Sequence, residues 1–182
     1  MIPQVILKDK IIAYDLNLDT DRIIQIIKEI DNKKDVFQSR ENRPHLTYLL
    51  SPNKNENDLD IEQELRSFFT EKIHPYVIHT SNLINLTLLE HKRNFIISKL
   101  TNSQKRMGNH RDDENVLVYN LFLNDDYIGG QLKFNEYNIT IKPKKNLLLI
   151  YLGGEIHSVS KVREGERYTL SSGFIFKGDR NG

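Results

Sequence analysis

A chain of 182 residues with 38% hydrophobic and 28% charged residues has enough apolar material for one domain with a real core, and a net charge of +1 gives no global field to draw in nucleic acid or a membrane surface. The absence of cysteine excludes a disulfide scaffold, thiolate chemistry and cysteine-ligated zinc or iron–sulfur clusters. No apolar run approaches a membrane span and "MIPQVILKDK" lacks a signal-peptide pattern, so a cytoplasmic protein is expected.

The opening "VILKDKIIAYDL" reads as a strand or strand pair. "DTDRIIQIIKEIDNKK" places Ile23, Ile27 and Ile30 on one helical face, with Asp19 or Thr20 available as N-cap. "FQSRENRPHLTYLLSPNKNEN" is long and polar and reads as a connector. "NDLDIEQELRSFFTEKIHP" brings Ile61, Leu65, Phe68 and Phe69 to one face, and a helix there is expected to stop before Pro75.

After about Ile84 short β-branched and aromatic runs take over: "RNFIISKL", "NVLVYNLFLN", "GGQLKF", "YNITIKP", "NLLLIYL", "EIHSVSK" and "ERYTLSSGFIF". Turn residues separate them, and all nine glycines lie at or after Gly108, where tight turns are needed. Short strands at this spacing indicate an antiparallel sandwich or jelly roll, with the two helices covering one outer face. A single domain over 1–182 is expected, with 1–83 as a helical support region and 84–177 as the jelly-roll core.

Two of the six histidines stand in suggestive settings. "NHRDD" sets His110 and Asp112 two apart, which in an extended strand share a face; Asp113 would point away. His157 is a candidate third ligand. Two imidazoles and one carboxylate leave positions open on a metal, and such a nitrogen/oxygen set suits Fe(II), Mn(II) or Ni(II) better than structural zinc. Each piece also has a bland reading: a chance H-x-D, a satisfied core histidine, a solvated Asp112–Asp113 turn. "EIHSVSKVREGERYTL" reads as a strand, a turn and a paired strand, with His157 on the first and Arg167 on the second.

Taken in order, "HRD", "VYNLFLN", "GGQLKF", "ITIKPKKNLLLIY" and "IHSVSKVREGERYTL" resemble the 2-oxoglutarate- and Fe(II)-dependent oxygenases, specifically the prolyl 4-hydroxylase-like branch, whose H-x-V-x-x-V-x-x-G-x-R pattern the last stretch follows. The resemblance runs from roughly Phe95 to Phe176. It implies a mainly β fold with N-terminal helices: a double-stranded β-helix (jelly roll) with helices packed on one sheet. It also implies that His110, Asp112 and His157 ligate Fe(II), and that Arg167 holds the distal carboxylate of 2-oxoglutarate, a task suited to a guanidinium fork. Thr169, on the face of Arg167, would donate its hydroxyl to the same carboxylate, while Tyr168 would face away. O2 would be consumed, with ascorbate a further expected requirement.

The chain departs from the family at three places. Leu100 and Phe122 stand where relatives often carry tyrosine, and Gly173 stands where an aromatic is common. Thr169 or Tyr119 is expected to compensate around the co-substrate.

The implied reaction is hydroxylation of an unactivated C–H, with peptidyl proline 4-hydroxylation first and a free amino acid or other small molecule as the alternative. A nucleic-acid demethylase is disfavoured, because the second arginine usual in such enzymes, six residues past Arg167, is here Gly173. A non-catalytic jelly-roll binding module would have to keep all four site residues unused. A protein or peptide partner is therefore expected, with no nucleic acid and no membrane, and the oligomeric state left open. "TNSQKRMGN" and the polar connector are candidate lids, and Arg111 and Tyr119 candidate pocket residues.

Overall fold

The computed structural model describes residues 2–40, 43–91 and 94–177. The N-terminal apolar run folds as the hairpin β1 (Gln4–Leu7) and β2 (Ile11–Asp15), turned at Asp9 with φ 57°. Helix α1 (Thr20–Lys34) starts where the Asp19 carboxylate accepts the Arg22 backbone N–H at 3.1 Å, and it buries Ile23, Ile26, Ile27 and Ile30.

The polar stretch that follows is more ordered than its composition suggests. It forms β3 (Gln38–Arg40) and β4 (Arg43–Leu50), while its Glu41 and Asn42 lie outside the described residues. The apolar content of Leu46–Leu50 lets β4 pair with β6 along the sheet, and β3 forms the edge beyond it. The next segment is also fixed, since buried Arg66 donates to the Ser51 carbonyl at 2.8 Å and pairs with Asp58.

Helix α2 (Asp60–Ser67) passes through a π-helical segment, Phe68–Ile73, into α3 (His74–Leu83), so the helical run does not end before Pro75. The proline falls directly after the π-helical segment, in the first turn of α3. Among the described residues, no helix is long and apolar enough to cross a membrane.

The remaining chain is β-rich: β5 (Thr87–His91), β6 (Phe95–Leu100), β7 (Met107–His110), β8 (Val116–Phe122), β9 (Ile128–Gly129) and β10 (Leu132–Phe134). A 3₁₀ turn at Asn135–Tyr137 leads to β11 (Ile139–Ile141), β12 (Leu147–Leu152), β13 (His157–Val159), β14 (Val162–Glu164) and β15 (Arg167–Lys177). The major sheet runs β1-β2-β12-β8-β15-β6-β4-β3, with β5 also pairing β15, so four strands from the first 83 residues join it. The minor sheet is β11-β10-β13-β7, and β14 and β9 form a separate ribbon.

The outcome is the mainly β jelly roll expected, with the helices on the outer face of the major sheet. On that face Ile27, Leu65, Phe69 and Val77 pack against Leu117, Tyr119, Leu121 and Ile150. The inner face packs Val116, Val118 and Phe122 against Leu132, Phe134 and Val159 of the minor sheet.

One expectation is corrected. The stretch from His157 to Arg167 is not a hairpin: β13 lies in the minor sheet and β15 in the major one, with β14 paired to β9 between them. Gly165, at φ 77°, turns the chain there, and a Cβ on it would lie 2.9 Å from the Asp126 carbonyl oxygen.

Two expectations for stability follow. Phe69 is fully buried and stacked on Phe95 at 3.9 Å and 8° between planes, so Phe69→Ala should lower the unfolding free energy by about 3–5 kcal/mol, read as an earlier urea midpoint. His74 and His91 are both held near pKa 4, His74 by burial and by His91 beside it, and His91 by burial. Their unfolded value is about 6.5, so the unfolded chain binds more protons between the two values. Stability should be full above about pH 6.5 and decline as pH falls toward 4, by up to about 1.4 kcal/mol per pH unit for each histidine. Urea melts across that window should show a shallower decline for His74→Gln, and an unchanged slope would contradict the assignment.

Candidate metal centre and co-substrate pocket

Strands β7 and β13 pair so that His110, closing one, stands opposite His157, opening the other. Their ring centroids are 4.2 Å apart. Asp112 follows outside the strand: its backbone N–H donates to the Gly153 carbonyl at 2.8 Å, and its Oδ2 lies 3.8 Å from His157 Nε2. Asp112, not Asp113, therefore joins the histidines as expected, but a loop anchored on Gly153 brings it there rather than strand alternation. The approach requires glycine, since a Cβ at position 153 would sit 2.3 Å from the Asp113 carbonyl oxygen.

One donor atom from each of His110, Asp112 and His157 falls within 4.8 Å of the others. Both imidazoles are oriented from behind. His110 Nδ1 meets the Gly108 carbonyl and His157 Nδ1 the Glu155 carbonyl, each at 2.9 Å. A carbonyl only accepts, so in the neutral form of each ring Nδ1 carries the proton and Nε2 the lone pair. Burial lowers the pKa of His157, with the nearby His110 adding to the effect and the Glu155 carbonyl and Asp112 opposing it. The neutral imidazole that results is the form that binds a metal.

Arg167 begins β15 opposite Leu100 and is 2% exposed. Its guanidinium lies over the Phe122 ring at 5.1 Å and donates from Nη1 to the Thr169 hydroxyl at 3.4 Å. Among the described residues Nε and Nη2 are buried without a hydrogen-bond partner, as is the hydroxyl of Tyr127 beside them. Burial lowers the pKa of Arg167, and the nearby Tyr127 and Tyr151 oppose the shift. Burial pushes the Tyr127 hydroxyl up to about 12 against the pull of Arg167. A buried cation with two unengaged donors is costly by itself and complementary to a carboxylate.

The two sheets enclose a cleft of about 450 Å³ that reaches from the His110–Asp112–His157 cluster to Arg167. Ser98, Leu100, Asn120, Tyr151 and Thr169 line it, with Arg106, Met107 and Arg111 also on its wall. The donor set fits a divalent metal with open positions, and the unengaged guanidinium fits the far end of a short dicarboxylate.

Tyr119 is corrected. It is 0% exposed and belongs to the helix-side core, where its hydroxyl lies 3.3 Å from both His74 Nε2 and His91 Nε2. Strand alternation turns it away from the cleft that Val118 and Asn120 line, so it does not touch the co-substrate pocket. Thr169 and Arg111 do line the cleft, and Tyr168 faces the helix side as expected. Sequence reading missed Asn120, whose buried Oδ1 has no hydrogen-bond partner, and Tyr151, whose ring centroid is 5.2 Å from that of His157. The period of β8 would have found Asn120; Tyr151 sits in a run of apolar residues that carries no such signal.

Residues 89–175 match the family model described as "2OG-Fe(II) oxygenase superfamily". The chain is 28% identical over 165 residues to a PKHD-type hydroxylase of Prochlorococcus marinus (strain NATL1A), covering 83% of this chain and 72% of that protein. Its fold is similar to that of a Pseudomonas putida prolyl-4-hydroxylase, with TM-score 0.68, 17% identity and coverage of 93% and 94% of the two chains. A prolyl hydroxylase from Trichoplax adhaerens, solved with a hypoxia-inducible factor peptide fragment, gives TM-score 0.69 at 15% identity over 92% of this chain and 84% of that one. The matched stretch contains both histidines, the aspartate and the buried arginine, and over it the chain is similar to the 2OG-Fe(II) oxygenase superfamily.

Proposed function

We propose that this chain is a 2-oxoglutarate-dependent dioxygenase that hydroxylates prolyl residues of a peptide or protein, with His110, Asp112 and His157 as iron ligands and Arg167 as the anchor of 2-oxoglutarate. The observation that carries the site reading is Arg167: a buried guanidinium with two unengaged donors, in one cleft with a two-histidine, one-carboxylate cluster. The substrate reading draws support from the PKHD-type hydroxylase and prolyl hydroxylase relatives, one of them solved with a peptide.

When bound, Fe(II) with 2-oxoglutarate and O2 supplies an oxidant for an unactivated C–H, while the co-substrate leaves as succinate and CO2. The chain's own work is binding and exclusion. The Nε2 atoms of His110 and His157 and one oxygen of Asp112 would hold the metal, a donor set that leaves coordination positions for other ligands. The Asp112 carboxylate would offset part of the metal's charge. Arg167 presents Nε and Nη2 to a carboxylate, and Thr169 adds a hydroxyl beside them. Phe122, where a tyrosine would offer an oxygen, lays its face against the guanidinium instead and holds the cation by its π electrons. Leu100, Val116 and Val118 make the wall apolar and limit water around the reacting carbon.

Arg167→Leu should weaken 2-oxoglutarate binding by about 100-fold or more, since a charge-assisted pair in a buried site contributes roughly 3 kcal/mol. Anaerobic titration of the Fe(II) protein, followed by the visible metal-to-ligand band, measures it, and wild-type affinity would remove Arg167 from the pocket. His157→Ala should abolish the band. Succinate release in the presence of Fe(II), 2-oxoglutarate and ascorbate should rise with proline-containing peptides and stay at the uncoupled level with free amino acids. Stimulation by free amino acids alone would sink the peptide reading.

A further inference from the structure

The turn between β12 and β13 holds two of the three candidate ligands through its backbone. The Gly153 carbonyl accepts the Asp112 N–H at 2.8 Å, and the Glu155 carbonyl accepts the His157 Nδ1–H at 2.9 Å. The turn is itself held from behind. The Glu155 carboxylate is 5% exposed, does not line the cleft, and meets Lys10 Nζ at 3.1 Å and the Tyr137 hydroxyl. Lys10 Nζ also donates to the Tyr137 hydroxyl at 2.6 Å, and the Lys10 carbonyl accepts the Leu152 N–H at 3.2 Å. Lys10 comes from the β1–β2 turn, Tyr137 from the 3₁₀ turn after β10 and Glu155 from the turn before β13, so three distant segments close on one carboxylate.

An ion pair between a buried carboxylate and a partly exposed lysine would alone be weak evidence for anything beyond local order. What distinguishes Glu155 is that one residue carries both the clamped carboxylate and the carbonyl that sets the ring of His157. A metal ligand's affinity depends on the acceptor behind its second nitrogen, because that acceptor fixes the tautomer and the direction of the lone pair. Freeing the Glu155 side chain frees the peptide unit on which His157 leans, and the turn that carries the Gly153 carbonyl moves with it.

We propose that Glu155 is a positioning residue for the metal centre, clamped by Lys10 and Tyr137 so that its backbone carbonyl aims His157 Nε2 at the ion. The inference rests on reading His110, Asp112 and His157 as metal ligands.

The test titrates Co(II) into the anaerobic full chain and follows the d–d absorption, with a thermal melt of each metal-free variant alongside. Glu155→Ala should bind Co(II) about 10-fold or more weakly and with an altered band. Glu155→Gln, which keeps an acceptor for Tyr137 and Lys10, should recover most of the affinity, and Tyr137→Phe should fall between Glu155→Ala and wild type. Wild-type affinity and band in both Glu155→Ala and Tyr137→Phe, with only the melting temperature lowered, would show a purely structural clamp and overturn the proposal. Where Glu155→Ala does not melt cooperatively, Tyr137→Phe decides: weaker Co(II) binding supports the positioning role and unchanged binding overturns it. A wild-type chain that gives no more d–d absorption than His157→Ala overturns the metal reading itself, and the inference with it. A normal wild-type titration with unaffected variants overturns the inference alone.

Discussion

Every side chain of β8, Val116 to Phe122, is buried, and the molecule is arranged around that fact. An antiparallel strand usually keeps one face for water. This one sits between the helices and the minor sheet, so each face must be covered by a separate layer. Leu117, Tyr119 and Leu121 are covered by the helical region, while Val116, Val118 and Phe122 face the minor sheet across the cleft. Helices α1 to α3 contribute nothing to the cleft wall, yet without them the floor of the cleft would lose its backing. The π-helical segment belongs to the same requirement, since Phe69 within it stacks on Phe95 of β6, the strand beside β15.

The same two-sided burial divides the polar groups into two populations. On the helix side Tyr119, His74, His91 and Ser172 hydrogen-bond one another, leaving His91 Nδ1 buried without a partner among the described residues, and burial keeps the two histidines neutral. On the cleft side Arg167 Nε and Nη2 and Asn120 Oδ1 are buried without a hydrogen-bond partner among the described residues. A folded chain tolerates few such atoms, and each has a free-energy cost. The hydrogen-bonded set stabilises a core, whereas the unengaged set marks where a ligand with complementary chemistry gains most. Tyr119 belongs to the first set because the parity of β8, not its residue type, decides which side it faces.

How much was legible followed how local the cause was. The capped helix at Asp19, the apolar periodicity of α1 and most of the strands after Ile84 are set by neighbours in sequence, and the structure agrees with them. Leu46–Leu50 was hidden because charged and polar neighbours surround it; its strand character depends on pairing with Phe95–Lys99, far along the chain. Pro75 misled because its effect depends on the register of the helix before it, and a π-helical segment changed that register. At the candidate site the residue types His110, Asp112, His157 and Arg167 could be picked out from their ordered motifs. The means that hold them could not, because a carbonyl behind an imidazole or a glycine carbonyl under a carboxylate leaves no mark on residue identity.

The corrected hairpin shows what that missing information changes. Had β13 and β15 been paired, His157 and Arg167 would lie on one sheet, and the separation between them would be fixed by a single turn. Instead β13 pairs with β7 and β15 with β6 and β8, so the two residues stand on facing sheets. The distance across the cleft is then set by side-chain packing between the layers, through Leu132, Phe134 and Val159 against Val118 and Phe122. Packing of this kind holds to fractions of an ångström because interiors are close to crystal density. The length of a ligand able to span from the His110–Asp112–His157 cluster to Arg167 is therefore written in the inter-sheet core rather than in the ten residues that separate His157 from Arg167 along the chain.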